Sequence, residues 1–371
     1  MGCFNILFRM KSSFILLPLA IIVFGCQNPN VSSSIKKLVA IEEIKFELDS
    51  LTPDYFHGME IVEKNDSLYF TFLNDLTNSI YYYDFESKQF VNRLEFEVGE
   101  MGIHRGVMTY SHFGMDSIFL FGKGRTSYWS NFKGEILDKF ELIDLSLRQS
   151  PYSSNVSPII ITEDAFYYNS IMWGNYFREF QPILKFDVRN RKVELFDHYP
   201  EVYFQEGDWG AFAFDYIYQV HDKSENQVYY SFPNSNTIFV RDLATEKILE
   251  MTDSYFGPRI TPPFENNNYV FESEDWLLKM NSVSIFGPIF LDKGSNTLIR
   301  TFSYGVKSPL RDPLRKVNLI HYDINLNKII NVFELPNNKY ILKNSFFANG
   351  EFYIRKKSNE EDYIVFERFK L

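Results

Sequence analysis

Cysteine is nearly absent from this chain: Cys3 and Cys26 are the only two among 371 residues, and none follows residue 26. No disulfide framework can therefore hold the body together. Basic charge is short as well, with 38 Lys and Arg against 48 Asp and Glu, a net charge of −10. Nucleic acid binding rests on a basic footprint, so nucleic acid is excluded as a partner. Long apolar runs are missing too. Crossing a bilayer takes about 20 apolar residues, whereas the run 14–24 is short and contains Pro18. Reactive signatures are lacking: there is no H-E-x-x-H, no G-x-S-x-G and no C-x-x-C. "GKGRTS" (122–127) has the composition of a phosphate loop but the wrong spacing. "DWG" (208–210) and "DKGSN" (292–296) offer oxygen donors without the spacing of a calcium loop. No cofactor is expected, and no catalytic constellation stands out.

What is present begins at the N-terminus. Arg9 and Lys11 precede the apolar run 14–24, and small Gly25 stands before Cys26. A basic start, a short apolar core and a small residue make the plan of a signal peptide. Val23-Phe24-Gly25-Cys26 resembles the lipobox of bacterial lipoproteins, where the cysteine takes diacylglycerol and, after cleavage, an acyl chain such as palmitate. The resemblance implies a signal peptide over 1–25, lipidation at Cys26 and a lipid-anchored place in the bacterial envelope, with the outer membrane expected. An uncleaved anchor or an ordinary secretory signal is the alternative, and Met10 offers a second start. Two or three acyl chains hold a protein stably, at about 0.8 kcal/mol per buried methylene. Residues 26–37, with their Ser and Asn, read as a tether. Removing 1–25 deletes Arg9 and Lys11 and no acid, so the remaining balance is 36 minus 48, or −12.

The rest, 38–371, reads as a single domain, and its repeats decide the architecture. Aromatics reach 18%, with 38 Phe and 24 Tyr, which suits side chains packed on pleated strands. Segment 66–96 aligns with 226–251: an alternating strand, an Asn-containing polar loop, an aromatic strand ending in Asp, a turn, and a further strand. Segments 116–142, 164–199 and 296–335 follow the same plan, and 350–371 is an incomplete last copy. Asp84, Asp187, Asp242 and Asp323 each end a strand, with Gln89, Lys192, Lys247 and Lys328 five residues on; Asn131 takes the Asp place in the remaining copy. An Asp there accepts backbone N–H groups of the turn and fixes the register. This spacing predicts an all-β fold, a six-bladed β-propeller of four-stranded antiparallel blades. Residues 38–48 form a strand without a blade, and closing the ring as the outer strand of the last blade accounts for it.

In such a ring the connections leading into the inner strands and those joining second to third strands share one face. Here those are long: 97–105, 144–157, 170–182, 200–211, 252–282 and 303–317. Rigid scaffolds commonly carry function on such loops. Candidate binding residues on that rim are His57, His104, Arg105, Trp173, Arg178, Asp208, Trp209, Tyr255 and Arg259. Whether 252–282 plugs the channel is left open by the sequence. "KSPLRDPLRK" (307–316) is a basic loop on an acidic chain. The lipobox, "LNDLTNSIYYYDFESKQ" and "IFLDKGSNTLIRTF" together resemble an uncharacterised lipoprotein family of Bacteroidota. Its members carry a domain of unknown function of the DUF4221 type, thought to be a TolB-like six-bladed propeller. That resemblance implies the fold and an envelope location and carries no established active residues. The expectation is a membrane-tethered binding module whose long-loop face meets a protein, peptide or glycan. The alternative is a hydrolase or lyase at the central channel, with His57, His104 and Asp208 as acid/base groups or ligands to a divalent metal. A structural part in an envelope assembly is a third possibility.

Overall fold

A computed structural model describes residues 35–53, 55–100, 102–113, 116–123, 126–142, 149–172, 180–204, 207–209, 214–252, 260–266, 268–336 and 338–371. By its internal contacts the chain divides into 1–32, which lies outside the described residues, and 33–371. The second unit is a six-bladed β-propeller.

Blade 1 runs through strands Met59–Lys64, Ser67–Asn74, Ser79–Asp84 and Phe90–Glu95. Blade 2 comprises Val107–Phe113, Ser117–Gly122, Thr126–Asn131 and Ile136–Glu141. In blade 3 the inner position is shared by Gln149–Tyr152 and Ile160–Ile161, both paired with Ala165–Met172, followed by Ile183–Asp187 and Lys192–Phe196. Blade 4 is Tyr218–Asp222, Gln227–Ser231, Thr237–Asp242 and Ile248–Thr252. Blade 5 is Ile285–Asp292, Thr297–Ser303, Val317–Asp323 and Lys328–Leu335. Blade 6 takes Tyr340–Ala348, Glu351–Lys356 and Tyr363–Phe369 from the C-terminal end and Glu42–Glu47 from the N-terminal end. The strand expected over 38–48 thus closes the ring where the sequence places it. Upstream of it, Lys36–Lys37, which the sequence groups with the tether, pairs in parallel with Phe333 and Glu334 as a fifth strand of blade 5.

The turn aspartates do what their spacing predicts. Asp84 Oδ1 accepts the Ser87 N–H at 2.7 Å, Asp187 Oδ1 that of Asn190 at 2.8 Å, and Asp323 Oδ1 that of Leu326 at 2.9 Å. Asp242 Oδ1 takes those of Ala244 and Thr245, and Asn131 Oδ1 those of Lys133 and Glu135. The registers follow, with Asp187 opposite Lys192 and Asp323 opposite Lys328. Asn226, Asn296, Asn327 and Asn349 adopt left-handed φ values between 46° and 57°, a conformation Asn tolerates better than most residues.

The aromatic excess packs blade against blade. Phe46, Phe70, Phe72, Tyr81, Tyr83, Phe346 and Phe366 form one cluster between blades 6 and 1. Phe119, Phe121, Phe140, Phe166, Tyr168 and Phe186 form another between blades 2 and 3. Tilted and edge-on pairs such as Phe119–Tyr168 at 6.5 Å and Phe140–Phe166 at 5.2 Å lie in the range where aromatic pairs attract beyond their burial. The joint between blades 4 and 5 carries a different device. Arg300, buried and stacked 3.8 Å over Phe286, donates to Ser231 Oγ and to the carbonyls of Phe232, Ser235 and Asn236. One α-helix, Glu274–Ser282, lies in the connection before blade 5, its first turn capped by Ser273 Oγ.

Candidate functional site

The inner strand of blade 3 is broken by an excursion over 153–159, between Tyr152 and Ile160. Ser154 and Ser157 close it as a small hairpin. Its tip crosses the axis of the ring. Asn155 Oδ1 accepts the Met59 N–H of blade 1 at 2.8 Å, and Asn155 Nδ2 donates to Asn344 Oδ1 of blade 6 at 2.9 Å. Gln219 of blade 4 donates its backbone N–H to the Val156 carbonyl, and Ser154 bonds the Tyr216 hydroxyl. Blades 1, 4 and 6 are thus held by one short segment. All but its last two residues fall in the 144–157 stretch that the sequence reads as a rim loop. Among the described residues of 252–282, none lines the axial cavity described next.

Beyond this plug lies a cavity of about 590 Å³ along the axis, lined by all six inner strands. Its wall continues from Asn155 to the downstream ends of those strands, at Glu63, His112, Ile161, Lys223, Leu291 and Phe347. The cavity therefore lies toward the short-hairpin face, opposite the long-loop rim. Partly exposed Met59, Ile61, Val62, Val220, Leu291 and Phe347 give the wall its apolar surface, while Glu60, Ser111, His112, Gln219, His221 and Lys223 are its principal polar groups.

The polar side is built around Glu60. Its carboxylate accepts Ser111 Oγ at 2.7 Å, the His112 N–H at 2.9 Å and His112 Nδ1 at 2.6 Å. His112 Nε2 lies 2.9 Å from the Tyr82 hydroxyl, so both ring nitrogens are engaged. Burial pushes the Glu60 carboxyl up, but the hydrogen bonds from His112 and Ser111, with the nearby Lys223 charge, outweigh it and hold it below its ordinary value. Burial and the Glu60 charge push the Tyr82 hydroxyl well up. Ser111 is bound to Glu60 and not to the imidazole, so the cluster is no nucleophile–base pair of the kind acyl transfer needs; it joins blades 1 and 2. On the other side of the cavity His221 is half-buried, its Nε2 without a partner among the described residues, and its imidazole is pushed down to about 4, first by burial and then by Lys223 and Lys293. Lys223, exposed just beyond blade 4's inner strand, reaches over to blade 2, where Nζ lies 3.4 Å from the His112 carbonyl.

The residues singled out by sequence lie elsewhere. His57 and His104 stand just before the inner strands of blades 1 and 2, as expected, but both are exposed. The His57 ring meets Tyr55 edge-on at 4.7 Å, and the His104 N–H donates to the Tyr128 hydroxyl at 2.9 Å. Arg105 is exposed with a left-handed φ of 62°. Asp208 pairs with Phe264 through backbone bonds, and its Oδ1 accepts the Tyr269 hydroxyl at 3.1 Å. Trp209 is core, packed on Tyr203 and Phe214. None of these five lines the axial cavity. Cys26, Trp173, Arg178, Tyr255 and Arg259 lie outside the described residues. No helix among the described residues is long and apolar enough to cross a membrane. Glu60, His112, His221 and Lys223 were missed because each comes from an unremarkable strand end, "MEIV", "YSHF" or "VHDK", and only closing the ring joins them.

The sequence matches the domain of unknown function DUF4221 over residues 36–330. Among solved structures, the chain is similar to a DUF4221 member from Bacteroides vulgatus, at 20% identity and a TM-score of 0.75, covering 90% of this chain and 98% of that one. It is also similar to a putative exported protein from Bacteroides fragilis, at 14% identity and a TM-score of 0.53, covering 91% and 99%. No curated protein matches it in sequence.

Proposed function

The chain belongs to the DUF4221 family, and from that premise we propose that it is a binding module, tethered to the bacterial envelope through Cys26, that takes a small molecule in its axial cavity. One observation carries the reading: a cavity of about 590 Å³ with mostly apolar walls and a few polar groups on opposite sides. Sites for small ligands are commonly pockets of about 300–1,000 Å³ with that composition. A plug closes one end, so a ligand enters from the short-hairpin face. The long-loop rim serves a second purpose, contact with a protein, peptide or glycan. Exposed Val270, Phe271, Leu310 and Leu314 favour this, since they belong to two neighbouring rim connections joined by the Arg311–Glu272 ion pair.

Two measurements test the reading. Native mass spectrometry of protein purified from its own envelope is expected to show a bound small molecule that Val220→Phe, by filling the cavity, removes. An empty wild-type protein, or a mass retained by the variant, counts against the cavity. For the tether, Cys26→Ser is expected to move the chain from the membrane fraction to the soluble one. A variant that stays with the membrane sinks lipidation at Cys26.

A further inference from the structure

We propose that the axial cavity takes an amphiphile with an apolar body and one anionic head, and that Lys223 is the partner of that head. The inference rests on the binding reading above and narrows it to a ligand class. It starts from the donors and acceptors on the wall. Glu60 is the more deeply placed carboxylate, and its three hydrogen bonds to Ser111 and His112 lie between 2.6 and 2.9 Å. It has little left to offer a ligand. His112 uses both ring nitrogens. Lys223 is the opposite case. Its ammonium carries three N–H donors and makes one contact at 3.4 Å, with no carboxylate within ion-pair distance among the described residues.

The position of Lys223 matters as much as its spare donors. The side chain starts from blade 4 and reaches blade 2, so the ammonium stands over the mouth of the cavity. Lys293, the other cation near His221, already pairs with Asp222 at 3.7 Å, which leaves Lys223 as the cation with donors to spare. An anionic head placed under Lys223 gains a charge-assisted hydrogen bond, and its tail lies against the partly exposed Ile61, Val62, Val220 and Phe347. A cationic head would have to sit beside Lys223, and Glu63, the one unengaged carboxylate among the described residues of the wall, is exposed, where water and salt screen its pull.

The test uses the full chain carrying Cys26→Ser, so that no acyl group of its own competes for the cavity. It is titrated calorimetrically with octanoate, 1-octanol, octyltrimethylammonium and acetate. Octanoate is expected to bind at least tenfold more tightly than octanol or the cation, and acetate not to bind measurably. Lys223→Met is expected to weaken octanoate at least tenfold and leave octanol within twofold, which separates loss of the head's partner from loss of the fold. Equal affinities for octanoate and octanol, or a preference for the cation, overturn the anionic head while leaving a cavity that binds. Acetate binding as well as octanoate overturns the apolar body. If no member binds to the wild-type cavity at millimolar concentration, both this inference and the binding reading fall.

Discussion

His221 and Asp215 give the propeller two opposed responses to acid. His221 is held down to about 4, by burial first and then by Lys223 and Lys293, against the pull of Asp222. In the unfolded chain the same ring takes its proton near about 6.5. Between these values the unfolded state binds more protons, so stability falls as pH falls; the contribution is whole above about 6.5 and gone by about 4. Asp215 is buried and its carboxyl is pushed up to about 6, against the pull of its own backbone N–H. Carrying that charge disfavours the fold above about 6, and the penalty is relieved as pH falls toward about 3.8. Each term is on the order of 3 kcal/mol at full extent. Urea unfolding from pH 7.5 to 4.5 is expected to separate them. His221→Gln should lose less stability on acidification than the wild type. Asp215→Asn should be more stable than the wild type at pH 7.5, with the gap closing toward pH 4.5. Parallel pH profiles for wild type and His221→Gln would mean that the ring is not held neutral.

At the scale of the element, the parts written locally were legible and the parts made by ring closure were not. A hairpin is specified within a few residues, so Asp242 with Lys247, or Asp84 with Gln89, announces two strands and their register. The turn between the first two strands of blade 5 is built the same way, Asp292 accepting the Gly294 N–H and the Ser295 hydroxyl. Arg300 lies in the "IFLDKGSNTLIRTF" stretch, one of those that carry the family resemblance, but its partners Ser231, Phe232, Ser235 and Asn236 lie more than 60 residues upstream. Its work at the joint of blades 4 and 5 could not be read from spacing. The plug fails in the other direction. A strand interrupted after four residues and resumed for two has the same signature as a loop, and only pairing of both pieces with Ala165–Met172 makes it one inner strand. The candidate site inherits that gap. Histidines within two residues of a glycine at a strand entry, His57 and His104, draw notice in a sequence, whereas His112 and His221 sit inside ordinary alternating strands and acquire their setting from neighbouring blades.

For the whole molecule the decisive feature is that blade 6 is made from both ends of the domain. Glu42–Glu47 pairs with Tyr363–Phe369, which ties residue 46 to residue 364. Without that strand the Tyr363–Phe369 edge is left open, and an unpaired edge invites association with other chains. The closing strand is more than a cover, because Phe46 on it is fully buried. Its ring lies 4.5 Å from Phe70, 5.6 Å from Tyr83 and 6.2 Å from Phe366, so it packs blade 1 and blade 6 together. Ile41, just upstream, is 51% exposed and serves as the internal comparison. Truncating a buried Phe costs about 3–5 kcal/mol, whereas an exposed position changes stability by roughly 0.5 kcal/mol or less. Phe46→Ala is therefore expected to lower unfolding stability by about 3–5 kcal/mol, and Ile41→Ala by a tenth of that. Both should be followed in urea by tryptophan fluorescence and by far-ultraviolet circular dichroism. If closure makes the ring one cooperative unit, the two probes coincide for the wild type. Similar costs for the two variants would show that the N-terminal strand decorates the ring instead of closing it.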